Sequence, residues 1–121
     1  MSEQIHQLSV RIYYEDTDAG GIVYYANYLK FSERARTEWL RELEINQSSF
    51  LEHSLGFVVR NVEMDNLASA KLDDVITVTT YIAELKRASI TFHQVITNQE
   101  QQDLCRIKVK VACVDFAKNK P

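Results

Sequence analysis

The hydrophobic period of this chain changes once, abruptly, at a pair of glycines. Before Gly20 and Gly21, the residues Leu8, Val10, Ile12 and Tyr14 alternate with Gln7, Ser9, Arg11 and Tyr13, the two-residue repeat of a half-buried strand. After them Tyr28, Phe31, Ala35, Trp39 and Leu43 recur at helical spacing and mark one apolar stripe. Arg34, Glu38 and Arg41 stand at i, i+4 and i+7, where they can support one another on the wet face. A helix over 22–44 would be about 34 Å long at 1.5 Å per residue. The chain has 121 residues, enough for one core and no second, so the remainder must wrap that helix.

The remainder reads as strands. One candidate covers 56–67, with the least clear alternation. Ile76, Val78 and Ile82 share a face in the next, and Ile90, Phe92 and Ile96 in the one after. In the last, Cys105, Ile107, Val109, Val111 and Cys113 alternate with Arg106, Lys108, Lys110 and Ala112. The polar cluster 98–102 predicts a hairpin turn. The single proline, Pro121, bars no interior pairing. One strand, one long helix and four further strands predict an α+β fold, a single domain over 1–121 with a five-stranded antiparallel sheet curled round the helix.

Composition narrows the partners. Hydrophobic residues make up 45 % and charged residues 26 %, as in an ordinary water-soluble domain. The net charge of −3 argues against nucleic acid, so an anionic ligand would need a local basic patch. No apolar run is long enough to span a bilayer and no signal-peptide pattern opens the chain, which makes the cytoplasm the expected location. Cys105 and Cys113 lie about 26 Å apart along one strand, too far for a disulfide, and read as small core residues. His6, His53 and His93 are scattered, without zinc spacing. Asp16 and Asp18 fit the first ligand positions of a calcium loop, but Gly20 and Asn27 occupy later ones, so no metal is expected.

The chemistry concentrates at the junction itself. A helix start offers unpaired N–H groups and partial positive charge. A carboxylate beside those donors can attack, or direct water at, a carbonyl whose oxygen the donors stabilise. Asp18, directly before a glycine pair that allows close backbone approach, is the first candidate, with helix capping as its plainer role. Asp16 reads as a brace for the loop.

Asp18-Ala19-Gly20-Gly21-Ile22-Val23, followed by Tyr24-Tyr25-Ala26-Asn27-Tyr28, resembles the active-site signature of the 4-hydroxybenzoyl-CoA thioesterase group of hotdog-fold thioesterases. The flanking 13–18 and 33–38 segments, with Val58-Val59-Arg60, Leu72-Asp73-Asp74 and Cys113-Val114-Asp115, are similar to the branch called Tol–Pal-associated acyl-CoA thioesterases. The resemblance implies a hotdog fold whose protomers pair sheet edge to sheet edge as a homodimer or homotetramer. It also implies Asp18 as the catalytic carboxylate, the Tyr25 backbone N–H as donor to the thioester oxygen, and Gly21 in the substrate-binding turn. Much of the Tol–Pal-associated branch has histidine where this chain has Tyr25. Lys86 and Arg87 match a basic segment that holds the nucleotide phosphates of coenzyme A, with Ala88 in place of a third basic residue. Arg60 and Lys71 are further basic candidates, and Glu33 is expected in a structural salt bridge.

A thiolate leaves without a strong acid, its conjugate thiol having a pKa of about 8.5. Hydrolysis therefore needs only a nucleophile and a polarised carbonyl, and coenzyme A is part of the substrate rather than a cofactor. Direct attack by Asp18 is favoured over base catalysis, because an ordinary carboxylate is a weak base for water. The alternatives are hydrolysis on acyl carrier protein and a non-catalytic scaffold of the cell-envelope machinery. A hotdog hydratase would need a histidine near the helix start, and none lies between His6 and His53.

Overall fold

The computed structural model describes residues 4–43 and 55–115. Its elements run β1 (Ile5–Arg11), a single 3-10 turn (Tyr14–Asp16), α1 (Asn27–Glu42), β2 (Leu55–Asn66), β3 (Val75–Leu85), β4 (Ser89–Thr97) and β5 (Asp103–Asp115). The strands form one antiparallel sheet in the order β1-β3-β4-β5-β2. This is the expected α+β architecture, with β1 and β2 at the two edges.

The helix buries the predicted stripe. Tyr28, Phe31, Ala35 and Trp39 pack against Ile12, Ile76, Val78, Phe92, Ile96, Leu104, Ile107 and Val109. Trp39 meets Phe92 edge-on with ring centroids 6.3 Å apart, and Tyr28 meets Phe31 likewise at 6.4 Å. Each such side chain contributes about 1.5–3 kcal/mol through removal from water. Leu43 leaves the stripe: it caps the helix and is exposed. Of the expected wet-face trio, Arg41 pairs with Glu38, whereas Arg34 lies over the Phe31 ring, 5.8 Å from its centroid.

The helix starts at Asn27, five residues later than its spacing predicts, and is about 24 Å long at 1.5 Å per residue. Ile22 and Val23 are taken by other pairings: Ile22 bridges Lys71, and the Val23 N–H donates to the Ala70 carbonyl at 2.9 Å. The expected end at position 44 lies outside the described residues.

Two bulges explain the strands whose alternation was hard to read. β2 faces Cys113 and Val111 with Phe57 and Val59, then Val109 and Ile107 with Val62 and Met64, so Arg60 is the extra residue that flips the parity. In β3 the register shifts after Ile82, which stands opposite Phe92, while Leu85 stands opposite Ile90. Ile82 therefore shares the face of buried Phe92 as expected, yet stays exposed. The turn at 98–102 forms as predicted, the Asn98 N–H donating to the Gln102 carbonyl at 3.1 Å. Cys105 is buried and Cys113 is only half-buried.

Candidate active site

Residues 17–23 form a small hairpin. Thr17 bridges Val23, the Asp18 N–H donates to the Ile22 carbonyl at 2.9 Å, and the Gly21 N–H donates to the Asp18 carbonyl at 3.0 Å. Gly21 has φ +79°, the left-handed residue that closes a three-residue hairpin loop, and any side chain there is strained. Gly20 sends its N–H 2.8 Å to Asp18 Oδ1, and a Cβ at Gly20 would stand 3.2 Å from that oxygen. The Asp18 carboxylate is thus oriented by one backbone bond while remaining exposed to solvent.

Asp16 has a different environment. Its Oδ2 accepts the Tyr13 N–H at 2.9 Å, its Oδ1 accepts the Asn27 side-chain amide at 3.1 Å, and its carbonyl accepts the Tyr24 N–H at 3.1 Å. It ties the incoming chain, the returning hairpin arm and the first helical residue together, as expected for a brace.

The hairpin returns the chain directly into α1. The first helical bonds come from the Asn27 N–H to the Tyr24 carbonyl (2.8 Å) and from the Tyr28 N–H to the Tyr25 carbonyl (3.2 Å). The N-cap is Ala26, whose side chain cannot accept a hydrogen bond, and the first turn carries no acid. Among the described residues nothing accepts the Tyr25 N–H. The positive end of the helix dipole therefore faces outward beside the Asp18 loop with an unused donor, which suits an anionic or developing-oxyanion ligand.

Tyr28 supplies a support that the stripe alone did not reveal. Its buried hydroxyl accepts the Ala70 N–H at 3.0 Å, and Ala70 in turn holds Val23. Burial raises the phenol pKa, partly offset by the Ala70 hydrogen bond. A tyrosine within a stripe of Phe and Trp is the available signal, since its polar tip requires a partner when buried.

Other candidates lie elsewhere. Lys86 and Arg87 are exposed in the turn after β3, and Lys86 Nζ is 3.5 Å from Glu84. The Asp18 loop pairs with Ala70 and Lys71, just before β3 begins. The eleven residues of β3 hold the two sites roughly 33 Å apart, at 3.3 Å per residue, within one chain. Lys71 is consequently the basic candidate paired beside the loop, while Arg60 is the β2 bulge residue. Glu33 does not form the expected salt bridge with any described residue; it is exposed, and its charge is felt by Arg36.

The nucleophile alternatives are poorly placed. Burial, reinforced by Asp65, pushes the Cys105 thiol up to about 12, so it stays protonated at neutral pH. His6 is buried, stacked on Trp39 and 3.1 Å from Glu42, while His93 bonds Tyr81 at 3.0 Å. His53 lies outside the described residues. Among the described residues no group of three His, Cys, Asp or Glu side chains is arranged to hold a metal, and no helix is long and apolar enough to cross a membrane.

Comparison with known proteins bears on the whole chain. The model of the thioesterase-like superfamily matches residues 12–121. The acyl-CoA thioesterase YbgC of Haemophilus influenzae is 51 % identical over 113 residues, covering 93 % of this chain and 82 % of that protein. The acyl-CoA thioester hydrolase YbgC of Escherichia coli is 43 % identical over 121 residues, covering all of this chain and 90 % of the relative. A probable thioesterase of Bartonella henselae superposes with a TM-score of 0.90 at 34 % identity, covering 98 % of this chain and 97 % of the other. A 1,4-dihydroxy-2-naphthoyl-CoA thioesterase of Synechocystis shares the fold at 20 % identity, with a TM-score of 0.91 over 97 % of this chain and 87 % of the other. With its hotdog sheet and helix and this likeness from end to end, the chain belongs to the thioesterase-like superfamily, in the group of the YbgC acyl-CoA thioesterases.

Proposed function

We propose that this chain hydrolyses acyl-CoA thioesters to a free acid and coenzyme A, with Asp18 as the nucleophile. The observation that carries the reading is the pairing of an exposed, backbone-oriented carboxylate with the unused Tyr25 N–H at the uncapped start of α1. In this reading a carboxylate oxygen of Asp18 bonds to the thioester carbon, and the carbonyl oxygen takes up negative charge against the Tyr25 N–H and the helix dipole. The C–S bond then breaks, coenzyme A leaves as thiolate and takes a proton from solvent, and water hydrolyses the acyl-aspartyl anhydride, restoring Asp18. Gly21 keeps the turn open to the substrate. A small or medium acyl group is the expected size, and a CoA-thioester substrate would put the enzyme in the cytoplasm.

Lys86 and Arg87 would hold the nucleotide phosphates, but for a substrate held by both sites in one chain they stand far from Asp18. A homodimer removes the separation along the strand direction. β2 is an edge strand with Val58, Val59 and Val62 exposed, the kind of edge that a second copy covers. Antiparallel pairing of two copies along β2 reverses direction, and so puts the Asp18 end of one copy and the Lys86 and Arg87 end of the other on the same side of the joint sheet.

Asp18→Asn keeps the size and the acceptor for Gly20 while removing the charge. The expected result is a fall in kcat of at least about a hundredfold with an unchanged fold. Near-normal turnover by the pure variant would refute the assignment.

A further inference from the structure

The group proposed to meet the thioester oxygen is a backbone N–H, so a peptide plane rather than a rotatable side chain sets its aim. In a planar trans peptide the Tyr25 N–H and the Tyr24 carbonyl point in opposite directions. That carbonyl accepts the Asn27 N–H at 2.8 Å. Whatever holds Asn27 therefore aims the Tyr25 donor.

Asn27 is held by Asp16. Its side-chain amide donates to Asp16 Oδ1 at 3.1 Å, and both residues are half-buried. The Asp16 carboxylate is itself fixed from the other side, since its Oδ2 accepts the Tyr13 N–H at 2.9 Å. The Asp16 carbonyl also accepts the Tyr24 N–H at 3.1 Å. One residue thus grips the chain on both sides of Tyr25, at Tyr24 through its main chain and at Asn27 through its carboxylate. Asp16 also stands two residues before Asp18, at the foot of the hairpin in which Thr17 bridges Val23. The carboxylate of the loop and the donor of the helix start are consequently placed from the same residue. The N-cap, Ala26, makes no side-chain bond that would duplicate the tether.

We propose that the Asp16–Asn27 hydrogen bond is a positioning device, which fixes the distance and direction of the Tyr25 N–H relative to the Asp18 carboxylate. Asp16 and Asn27 act through other groups and do not touch the thioester. The roles of Asp18 and Tyr25 rest on the hydrolysis reading above, whereas the bond itself does not. A misplacement of about 1 Å costs up to about a hundredfold in rate. Substrate binding suffers far less, because the carbonyl oxygen carries its full charge only in the transition state.

An amide and a carboxylate allow a reciprocal test, since exchanging them reverses the direction of the bond and keeps its length. Asn27→Asp sets two carboxylates against each other at this contact, where like charges repel. The expected result is a fall in kcat of at least about tenfold, with KM for acyl-CoA within about threefold of normal. Combining Asp16→Asn with Asn27→Asp lets the amide at position 16 accept from Tyr13 through its oxygen and donate to position 27. In that double variant kcat should return to within about threefold of normal. Two independent structural lesions would instead add, leaving the double variant no faster than Asn27→Asp. The Tyr25 amide resonance of isotope-labelled protein reports the same geometry without turnover. It should shift in Asn27→Asp and return in the double variant. If Asn27→Asp does not fold, Asn27→Ala takes its place, removing the tether without repulsion. It should displace the Tyr25 resonance and lower kcat about fivefold. A double variant as slow as Asn27→Asp, or a Tyr25 resonance that stays in place when Asn27 is replaced, overturns the proposal. Failure of the hydrolysis reading is distinct: it shows as near-normal turnover by Asp18→Asn and leaves the resonance result standing.

Discussion

The two ends of the sheet are built on different principles. At the end where β3 begins, the Asp18 loop is knitted into the fold through backbone bonds from Asp18, Gly21, Val23 and Tyr24, braced by Asp16 and held from beneath by Tyr28 through Ala70. At the end where β3 finishes, the Lys86 and Arg87 side chains stand in solvent, and among the described residues their one ion pair is the screened contact of Lys86 with Glu84. Chemistry needs a reacting group held within a fraction of an ångström, and this is what a dense backbone network provides. Recognition of a multiply charged nucleotide needs only charge nearby, and tolerates long, mobile side chains.

That contrast makes mutations at the two ends separable. The largest effect is expected from Asp18→Asn, where turnover should collapse while thermal unfolding stays in place, since the exposed side chain makes one local hydrogen bond. A large drop in Tm with Asp18→Asn would move Asp18 from chemistry to folding. Tyr28→Phe acts on the support beneath the loop. It leaves the buried Ala70 N–H without its acceptor, so unfolding free energy should fall by about 1–3 kcal/mol in urea titrations. Turnover should fall by less than with Asp18→Asn, since the carboxylate itself remains. An unchanged stability would mean that the Ala70 bond does not hold the loop.

The smallest effect is expected at the exposed end. Alanine at both Lys86 and Arg87 should raise KM for acyl-CoA by roughly tenfold or less while leaving kcat near normal, because contacts remote from the carbonyl bind ground and transition state alike. An acyl-pantetheine thioester, lacking the nucleotide, should be hydrolysed as by the unmodified protein. Equal KM increases for both thioesters would show a general disturbance rather than a phosphate contact.

The same contrast governs what could be read from the sequence. The Asp18 loop is local: its glycine pair, acids and the onset of helical spacing all lie within a dozen residues, so turn, helix and candidate carboxylate were legible together. The late helix start was not, because Ile22 and Val23 are claimed by Ala70 and Lys71, almost fifty residues away. The bulges at Arg60 and after Ile82 were equally hidden, as one extra residue reverses the facing of everything beyond it without leaving a composition signal. Arg36 reads as one more charge on an amphipathic helix, and its burial depends on Gln94, on a strand 58 positions later. Glu33 shows the converse: the helix offers it neighbouring arginines, yet Arg34 turns to Phe31 and Arg36 turns inward to Ser32 and Gln94.

In the proposed dimer, Asp18 of one copy and Lys86 and Arg87 of the other serve the same substrate. Mixing two inactive or weakened proteins tests it directly. One carries Asp18→Asn, and the other carries Lys86→Ala with Arg87→Ala; the two are unfolded together, refolded and assayed at low acyl-CoA. If each site takes Asp18 from one copy and Lys86 and Arg87 from the other, the mixed dimer holds one site free of both lesions. Random pairing makes half of the dimers mixed, so activity at low substrate should recover to about a quarter of the unmodified level. If all three residues of a site come from one chain, every site in the mixture carries a lesion, and activity no greater than the average of the two parents would contradict the account.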